Sequence, residues 1–475
     1  MKYIPVIGLE IHFELNTKTK MFCSCLNTEA TLPNSNVCPI CLGHPGTLPT
    51  INPEAVEKVI KVGLATNCQI SDFSFFERKN YFYPDLPKGY QISQYTYPLC
   101  QNGYLVFSSN SDLSKLVKIR INRIHLEEDT AKSVHFESYS LIDFNRAGIP
   151  LAELVTEPEI KTPRQAKLFA QELQKILRYL EVSNADMEKG QMRVEANVSL
   201  ISPNSKELGT KVEIKNLNSF RAVEDGLNYE IERQSQLLNR GEKVIQETRG
   251  WDAKQQKTFP QRSKEYAPDY KYFPEPDLIP IKVSQVLDLK RIKKTIPELP
   301  RQKLTRFQKQ YQLTAKQANQ LVGDKQVADF FEQAASKTKN YQLLFNYFTT
   351  DLMGLIEKKK VDLSEIDPEY LSQLINLLEA KKIRSPQAKA ILSLMVETKK
   401  SPQQIIEQEK IGLISDLEEL TQIVEKVIAN NSKAVEDFKK GKLTALQYLI
   451  GQTMKETKGQ VDPQQIKKIL QEKLT

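Results

Sequence analysis

The chain has 475 residues, 40% of them hydrophobic, and its 67 basic and 59 acidic residues leave a formal net charge of +8. That length is too great for one compact core, so we expect roughly two to four domains. No apolar run approaches the roughly 20 residues of a membrane span, and Glu10 and His12 interrupt any signal-peptide core. We therefore expect a cytoplasmic protein with no membrane partner. The small positive surplus permits an RNA partner without requiring one.

The first predicted element is a β-strand in which apolar and polar residues alternate. Its apolar positions are Ile7, Leu9, Ile11, Phe13 and Leu15. The other face carries Glu10, His12 and Glu14, so one side of the strand should lie on a core. Oxygen-rich clusters with one imidazole suit Mg²⁺ or Mn²⁺ better than zinc. Glu10 and His12 are therefore candidate metal ligands.

Four of the six cysteines fall in one window after this strand. They form a CxC pair, Cys23 and Cys25, and a CxxC pair, Cys38 and Cys41. Two such pairs brought together by a loop make a tetrahedral zinc site, which is structural because four thiolates leave no open coordination position. Disulfides are a poorer explanation in a reducing cytosol, and buried thiols without a metal are the other alternative.

The simplest alternative explanation of the polar strand faces is that they are the solvated side of an ordinary antiparallel sheet. That explanation weakens as acids accumulate. Residues 125–129 end an apolar run with three consecutive acids, which include Glu127 and Glu128. Because they add to the polar face of the first strand, Glu127 and Glu128 join the candidate metal ligands.

Two further strands are predicted at residues 193–200 and 211–215, where apolar and polar positions again alternate. Their polar faces carry Glu195 and Glu213. The intervening stretch is polar and contains a proline and a glycine, so it predicts a hairpin that places Glu195 beside Glu213. Glu213 thereby becomes a further candidate metal ligand.

Helices are predicted on both sides of this hairpin. Thr162 and Pro163 open a helix with an apolar stripe, and a second helix runs from near Ser219 to Arg240 and closes at Gly241. Because strands and helices do not alternate strictly, the fold class is α+β: an N-terminal antiparallel-sheet domain with flanking helices.

The second half of the chain reads as helical. A proline-rich passage at 273–300 breaks the earlier pattern, and helix starts follow at Asp367-Pro368, Ser385-Pro386, Ser401-Pro402 and Asp462-Pro463. We expect three domains: residues 1–294, an all-α domain at 295–405, and a small all-α tail at 406–475. The tail carries a lysine surplus, which by itself is weak support for RNA binding because a solvated helix face is the usual reason for such charge.

Several familiar motifs are absent from the sequence. It has no GxxxxGK[ST] phosphate loop, no GxGxxG turn and no protein-kinase set. A bound nucleotide would therefore depend on a metal and on isolated basic residues. The chain also has no Gly-Ser-Ser run of an amidase, and its four histidines offer no obvious pairing with a Ser or Cys nucleophile.

Short blocks along the chain resemble one known family. They are residues 7–12, 78–85, 90–94, 125–129, 215–220, 246–249 and 272–277. Together they closely resemble the B subunit of the tRNA-dependent amidotransferases, the glutamyl/aspartyl-tRNA amidotransferase family. One block alone is modest support, but so many in order are specific, and the likeness covers essentially the whole chain.

The resemblance implies a β-rich cradle domain that holds ATP and Mg²⁺, a helical domain, and a YqeY-like tail domain that binds tRNA. Family members are ligases that use ATP to phosphorylate the side-chain carboxylate of Glu-tRNA(Gln), and often Asp-tRNA(Asn), and then replace the phosphate with ammonia. The ammonia comes from glutamine on a partner amidase (glutaminase), the A subunit, and a small C subunit completes a heterotrimer. The absence of an amidase nucleophile from this sequence is then explained, because the partner subunit releases the ammonia.

The resemblance also implies site residues. The candidate catalytic residues are Lys79, Glu128 and Glu153, and the candidates for nucleotide binding are Lys79, Tyr81 and Lys215. The candidate Mg²⁺ ligands are Glu10, His12, Glu127, Glu128 and Glu213. Lys79 would neutralise phosphate charge. The alternative is that Lys79 is an ordinary surface lysine and that Arg78 neutralises the phosphate instead. Zinc is argued from the cysteine spacing, and the family only permits it.

Two other functions stay open at this point. One is a zinc-containing RNA-binding protein without catalysis, which leaves His12 between two glutamates unexplained. The other is a free-standing carboxylate-amine ligase for a small metabolite, which would need its own amine site. Mg²⁺-dependent ATP turnover with mischarged tRNA separates the first from an amidotransferase, and a comparison of free glutamate with Glu-tRNA separates the second.

Overall fold

The structure is a computed structural model that describes residues 3–28, 30–109, 115–202, 205, 207–263, 270–409, 417–457, 461 and 463–474. It divides into two compact units, Met1–Lys303 and Leu304–Thr475. The first unit combines sheets with helices and the second is helical, so the predicted α+β class is confirmed. Within the described ranges, no helix is long and apolar enough to cross a membrane.

The strands of the first unit form one large sheet and three small ones. In chain order they are β1 (Ile4–Glu14), β2 (Gln69–Ile70), β3 (Phe73–Ser74), β4 (Glu77–Asn80), β5 (Tyr90–Ser93), β6 (Cys100–Ser108), β7 (Leu116–Glu128), β8 (Lys132–His135), β9 (Ser140–Asp143), β10 (Pro150–Thr156), β11 (Met192–Ile201), β12 (Val212–Leu217), β13 (Glu247–Asp252), β14 (Lys257–Ser263), β15 (Phe273–Pro274) and β16 (Ile281–Lys282). The large sheet has nine strands in the order β14-β13-β12-β11-β1-β10-β7-β6-β2. The small sheets are β15-β4-β5, β16-β3 and β8-β9.

Neighbouring strands of the large sheet run antiparallel, except that β12 and β13 are parallel. A parallel pair needs a crossover rather than a hairpin, and a long helix supplies it here. The helices of the first unit are α1 (Pro53–Ala65), α2 (Pro163–Tyr179), α3 (Phe220–Asn239), α4 (Val283–Val286) and α5 (Leu289–Lys294). Helix α3 is the crossover between β12 and β13.

The predicted boundaries of α2 and α3 are confirmed. Thr162 caps α2 by accepting a hydrogen bond from the Gln165 N–H, and Pro163 takes the first helical position. Ser219 caps α3 in the same way. Gly241 follows the end of α3 with φ +77°, a left-handed conformation that glycine adopts without steric strain.

Strand β1 lies inside the large sheet, and its alternation is confirmed. Its apolar residues are at most 1% exposed: Ile7, Leu9, Ile11, Phe13 and Leu15. Helices α1, α2 and α3 pack on the sheet and share this hydrophobic core. The polar face of the sheet, which includes Glu10, His12 and Glu14, lies on the other side of β1.

The register of the predicted hairpin differs from the expectation. Strands β11 and β12 do pair antiparallel, but Glu213 lies opposite Asn197, and Glu195 lies opposite Glu10 of β1. The offset belongs to the regular part of the pairing, where Ala196 lies opposite Ile214 and Asn197 opposite Glu213; the register shifts only further on, between Val194 and Ala196. A register that differs by two residues changes which side chains face each other without changing the alternation that predicted the strands.

The second unit consists of short helices. They are α6 (Pro300–Tyr311, which begins in the first unit), α7 (Ala315–Leu321), α8 (Lys325–Ala335), α9 (Tyr341–Asn346), a π-helix (Tyr347–Leu352), α10 (Met353–Lys359), a 3₁₀-helix (Leu363–Glu365), α11 (Pro368–Glu379), α12 (Ser385–Thr398), α13 (Pro402–Glu409), α14 (Leu417–Asn430), α15 (Ser432–Lys439), α16 (Leu443–Glu456) and α17 (Pro463–Leu474). Their cores form two separate apolar clusters, one from Phe307 to Ile405 and one from Leu420 to Leu474. The three-domain division stays a prediction, and these separate clusters support it.

Most of the predicted helix caps lie where the sequence placed them. Asp367 caps α11 through a hydrogen bond from the Glu369 N–H at 2.9 Å. At α12, however, Ser385 is the first helical residue and the cap position belongs to Arg384. The Ser385 hydroxyl instead lies 2.9 Å from the Tyr347 hydroxyl, so it serves a contact between helices. The predicted cap at Asp462 lies outside the described residues.

Candidate metal and nucleotide site

Three adjacent strands of the large sheet place acids and histidines in one row. The β1–β10 pairing puts His12 opposite Glu153, and the β10–β7 pairing puts Glu153 opposite His125. Glu10 and Glu127 lie two residues from His12 and His125, which keeps them on the same face. We call Glu10, His12, His125, Glu127 and Glu153 the acid–histidine cluster.

The distances within this cluster suit a metal site. His12 Nε2 lies 3.5 Å from Glu127 Oε1 and 3.3 Å from Glu153 Oε2. Two overlapping groups, which share Glu153, have ligand atoms within 4.8 Å of one another: Glu10, His12 and Glu153, and His125, Glu127 and Glu153. Three carboxylates with imidazoles form an oxygen-rich donor set, which fits Mg²⁺ or Mn²⁺.

The charges inside the cluster balance each other. Burial opposes ionisation of His12, but the hydrogen bond and charge of Glu153 outweigh it and raise the pKa of His12 to about 9. Burial likewise opposes ionisation of Glu153, yet the charge of His125 and the hydrogen bond from His12 hold its pKa below the usual range. The negative cluster therefore attracts a cation, which is a proton on His12 when no metal is bound.

Glu128 is not brought into this cluster. Successive residues of a strand point to opposite faces, so Glu127 joins the cluster and Glu128 points away from it. The Glu128 carboxylate bonds Lys88 Nζ with both oxygens and accepts a hydrogen bond from the Ile92 N–H at 3.0 Å. Glu128 and Lys88 line a cavity of about 210 Å³ that also borders Cys41. The sequence-based prediction had treated the two neighbouring acids as equivalent.

Glu213 and Lys215 lie further along the sheet. Strand β12 is separated from β1 by β11, which amounts to about 10 Å. Lys215 Nζ lies 2.6 Å from Glu195 Oε2 and 3.5 Å from Glu213 Oε1, so it bridges the two acids. Glu213 also accepts a hydrogen bond from the Thr248 hydroxyl at 2.7 Å. This group continues the polar row beyond Glu10 rather than joining the histidines.

Lys79 and Tyr81 lie on the small β15-β4-β5 sheet and its following loop, beside the cluster. The Lys79 ammonium lies 5.8 Å from the Tyr81 ring centroid and 5.0 Å from that of Tyr270. Burial is the largest effect on the pKa of Glu127 and raises it, but the hydrogen bond from His125 and the charge of His12 lower the pKa below its usual value. The charge of Lys79 adds to this lowering of the Glu127 pKa. Burial, followed by the charge of Glu127, raises the pKa of Tyr81. Both side chains are thus electrostatic neighbours of the cluster.

Two further groups of the site escaped the sequence analysis. His125 was seen in its motif but was not proposed as a ligand, although the period of two puts it on the same face as Glu127. Ser93 Oγ donates a hydrogen bond to Glu127 Oε2 at 3.1 Å, and nothing in its local sequence indicates this contact. Asp129 is held by Arg193, whose Nη2 lies 2.8 Å from Oδ2, at the end of the same polar row.

The four cysteines of the predicted zinc site converge. Their Sγ atoms lie within 4.8 Å of one another: Cys23, Cys25, Cys38 and Cys41. Tetrahedral Zn–S bonds of about 2.3 Å require a group of this size, so the cluster could bind a metal. The pKa of the Cys41 thiol is lowered to about 4, mainly by its hydrogen bond with Cys23. Burial opposes this shift, and the hydrogen bond from the Cys38 N–H and the charge of Lys20 support it. One thiolate is thus already favoured.

Two parts of the chain match family models. Residues 5–287 match the GatB/GatE catalytic domain, and this match covers the large sheet except for Ile4, together with the acid–histidine cluster and the four clustered cysteines. Residues 329–474 match the GatB domain, which covers most of the second unit. The two matches follow each other in the same order as the two compact units.

Curated relatives match along the full length. The chain is 46% identical over 477 residues to the B subunit of aspartyl/glutamyl-tRNA(Asn/Gln) amidotransferase from Persephonella marina, with 100% of both chains covered. It is 47% identical over 478 residues to the protein of the same name from Caldanaerobacter subterraneus, again with 100% of both covered. The Thermotoga petrophila protein is 44% identical over 483 residues, with 100% of this chain and 99% of the relative covered. The chain therefore belongs to the family of aspartyl/glutamyl-tRNA(Asn/Gln) amidotransferase B subunits.

Proposed function

We propose that this chain is the component that activates and amidates the aminoacyl group of Glu-tRNA(Gln), Asp-tRNA(Asn) or both. Ammonia would arrive from a partner glutaminase, the A subunit, with a small C subunit completing a cytoplasmic heterotrimer. The names of the relatives support the amidotransferase role. The observation that carries the chemistry is the acid–histidine cluster with Lys79 beside it.

The reaction needs phosphoryl transfer because a carboxylate is a poor electrophile. The γ-phosphoryl group of ATP passes to a side-chain carboxylate oxygen, which gives an acyl phosphate and ADP. Ammonia then attacks the acyl carbon, the C–O bond to phosphate breaks, and the amide and inorganic phosphate are released. Phosphoryl transfer depends mostly on positioning and on neutralisation of the phosphate charge.

The residues of the cluster would hold Mg²⁺ for this step. Glu10, His12, Glu127 and Glu153 converge on one volume, and a cation there would neutralise phosphate oxygens. Lys79, whose charge acts on Glu127, would bind a phosphate beside the cluster, with Tyr81 next to it. Lys215 would attract phosphate charge from strand β12, which β11 separates from β1.

Glu128, Glu213 and the cysteines take other roles in this proposal. Glu128 keeps its pairing with Lys88, and Glu213 fixes Lys215 rather than binding Mg²⁺ directly. The cysteines hold a structural Zn²⁺ that ties the loop after β1 to itself. The tail, residues 406–475, binds tRNA through its lysines.

The test is amide formation by the complex assembled from all three subunits. Glutamine, or ammonium chloride as a direct nitrogen source, should support the conversion of Glu-tRNA to Gln-tRNA only with ATP and Mg²⁺. ATP turnover should rise when mischarged tRNA is added. Absence of ATP turnover under every condition would show a binding module instead, and amidation of free glutamate would show a small-molecule ligase.

A further inference from the structure

A continuous group of aromatic side chains lies beside the acid–histidine cluster. Tyr272 stacks on Tyr95, with ring centroids 4.6 Å apart and ring planes inclined by 14°. Tyr270 meets Tyr272 edge to face at 6.2 Å, and Tyr81 lies 5.7 Å from Tyr270. We call Tyr81, Tyr95, Tyr270 and Tyr272 the tyrosine wall.

The tyrosine wall lies next to the cluster. Ser93, which donates a hydrogen bond to Glu127, precedes Tyr95 by two residues, a distance of at most about 7 Å along an extended chain. Lys79 lies over the Tyr270 ring at 5.0 Å. Burial, followed by the charges of Glu127 and Glu153, raises the pKa of Tyr272. The wall is therefore within reach of a substrate whose reacting group lies at the cluster.

Buried hydrogen bonds hold the backbone of the wall in place. The Glu77 carboxylate, whose residue is 4% exposed, accepts hydrogen bonds from the N–H groups of Tyr95 and Thr96 at 2.9 and 2.7 Å. On the other side, the Asn80 N–H donates to the Tyr270 carbonyl at 2.9 Å. With the backbone fixed in this way and the rings packed on one another, the wall loses little conformational freedom when a ligand binds.

The outer end of the wall is open to solvent. Tyr95 is 57% exposed although one side of its ring contacts Tyr272. Small-molecule ligands are usually enclosed in concave pockets, whereas unpaired bases of single-stranded nucleic acid stack on exposed aromatic rings. An open ring beside a phosphoryl-transfer site therefore suits a base that arrives at the end of a flexible strand.

We propose that the face of Tyr95 turned away from Tyr272 is the stacking platform for the unpaired 3′-terminal base of the aminoacyl-tRNA. This inference rests on the proposed function. The aminoacyl group is esterified to the ribose of that nucleotide, so only the ribose, the ester and the aminoacyl chain separate its base from the carboxylate that is phosphorylated. Stacking there would position the carboxylate at the acid–histidine cluster.

Two substitutions at one position test the platform. In the complex assembled with all three subunits, with ammonium chloride as nitrogen source, Tyr95→Ala should raise the KM for Glu-tRNA about tenfold or more, because it removes the stacking surface. Tyr95→Phe keeps the ring and should behave like the wild type. The KM for ATP should stay unchanged in both variants, because the proposal places the tRNA base, and not the adenine of ATP, on Tyr95. The adenine of ATP is the competing candidate for the stacked base.

A matched control variant is available on the β8–β9 hairpin. Tyr139 is 56% exposed and stacks on Phe136 at 4.8 Å with an inclination of 19°, nearly the geometry of Tyr95. Within the described part of the chain, no contact joins Tyr139 to the acid–histidine cluster. Tyr139→Ala should therefore leave the KM for Glu-tRNA at the wild-type value.

A binding measurement supplies a second readout that does not depend on turnover. The wild-type complex should lose affinity about tenfold when the terminal nucleotide is removed from uncharged tRNA, and Tyr95→Ala should bind both tRNAs equally. Equal binding of both tRNAs by the wild type, or a KM change for ATP alone, would overturn the platform while the proposed function stands. A wild-type complex that forms no amide would overturn the proposed function, whatever Tyr95 does in the binding measurement.

Discussion

Glu153 shows how much of the site depends on a single side chain. It lies on β10 between β1 and β7, and both overlapping ligand groups of the acid–histidine cluster contain it. Its residue is 6% exposed, so its charge is stable only because His12, His125 and Arg123 surround it. Removing that charge removes the shared ligand and leaves Glu127 as the remaining ion-pair partner that both histidines have within the cluster at 4 Å or less.

We therefore expect Glu153→Gln and His12→Ala each to reduce amide formation at least about 100-fold, since phosphoryl transfer depends on neutralised phosphate charge. Binding of tRNA should change little, because the proposed role of these residues is to hold a metal rather than RNA. Single-turnover amide formation and filter binding of tRNA measure the two effects separately. The control is Glu137→Gln, which changes an exposed acid of the same unit. Wild-type rates in either cluster variant would remove that residue from the site.

The Lys88–Glu128 pair leads to a stability prediction at the residue scale. Both side chains are largely buried, at 12% and 6% exposure. Lys88→Met would leave the Glu128 carboxylate buried without a cation, which we expect to lower the free energy of unfolding by about 3 kcal/mol. The double variant Lys88→Met/Glu128→Gln should recover part of that loss. Urea unfolding followed by the fluorescence of Trp251, the single tryptophan, reports on the first unit.

At the scale of elements, close packing of α1 on the sheet decides which residues fit. A Cβ at Gly63 would collide with the buried Cys100 Sγ on β6 and lie 3.1 Å from Ile70. At Gly451 of α16, by contrast, no atom of the described part of the chain lies within 4 Å of such a Cβ. Both glycines are helical, so the helix propensity of alanine favours the same substitution at both.

Gly63→Ala should accordingly destabilise the first unit by about 1–3 kcal/mol, because overpacking outweighs the propensity gain. Gly451→Ala should stabilise its helix by up to about 1 kcal/mol. Calorimetric melting of both variants against the wild type measures the opposite signs. Stabilisation by Gly63→Ala would mean that the α1–β6 contact is looser than the structure shows.

The cysteine loop gives a second prediction at this scale. Backbone hydrogen bonds join the loop between β1 and α1 to other segments near its start, as the Met21 N–H to Gly148 carbonyl bond at 2.7 Å does, and the Asn36 N–H donates to Asn145 Oδ1 at 2.8 Å further along. A metal that joins Cys23, Cys25, Cys38 and Cys41 would constrain the middle of the loop. The purified protein should therefore contain about one zinc per chain.

Cys38→Ser should lose this zinc and make the loop sensitive to proteolysis, whereas Cys68→Ser should keep the zinc because Cys68 lies in the separate core beneath the sheet. Metal analysis and limited proteolysis with mass spectrometry provide the readouts. A wild-type chain with no zinc and four freely titrating thiols would contradict the assignment.

At the scale of the whole molecule, the two compact units own separate cores. Among the described residues, the apolar cluster of the first unit has its last buried member at Ile292, and those of the second begin at Phe307. The first unit should therefore keep its fold without the tail. The tail adds lysines such as Lys439, Lys440 and Lys442, which suit contacts to phosphates.

Truncation after Pro402 should leave the Trp251 unfolding transition in place and weaken tRNA binding. Each lost phosphate contact removes part of the counterion-release contribution, so the salt dependence of binding should flatten by about one unit of slope per contact. The KM for Glu-tRNA should rise, while the glutaminase activity of the complex without tRNA should stay constant. Unchanged tRNA affinity across salt concentrations would show that the tail is not a tRNA-binding element in this protein.

The sequence by itself determined the features that depend on neighbouring residues. Alternation predicted β1 and its two faces. Capping residues predicted the starts of α2 and α3, and Gly241 predicted the end of α3 closely. The CxC and CxxC spacing predicted a group of four thiols. Each of these signals arises from a local period or a local hydrogen bond, so the residues that create it lie within a few positions of each other.

Only the tertiary structure decided which distant residues meet. Strand β10 is inserted between β1 and β7, and this order alone makes Glu153 the centre of the cluster. The register of β11 and β12 places Glu213 opposite Asn197 rather than Glu195, and Glu127 and Glu128, as successive residues of β7, point to opposite faces of the sheet. Strand order and register are set by the packing of the whole sheet on its helices, which no local pattern encodes. The same packing brought Tyr95 and Tyr272 together although they lie far apart in the chain.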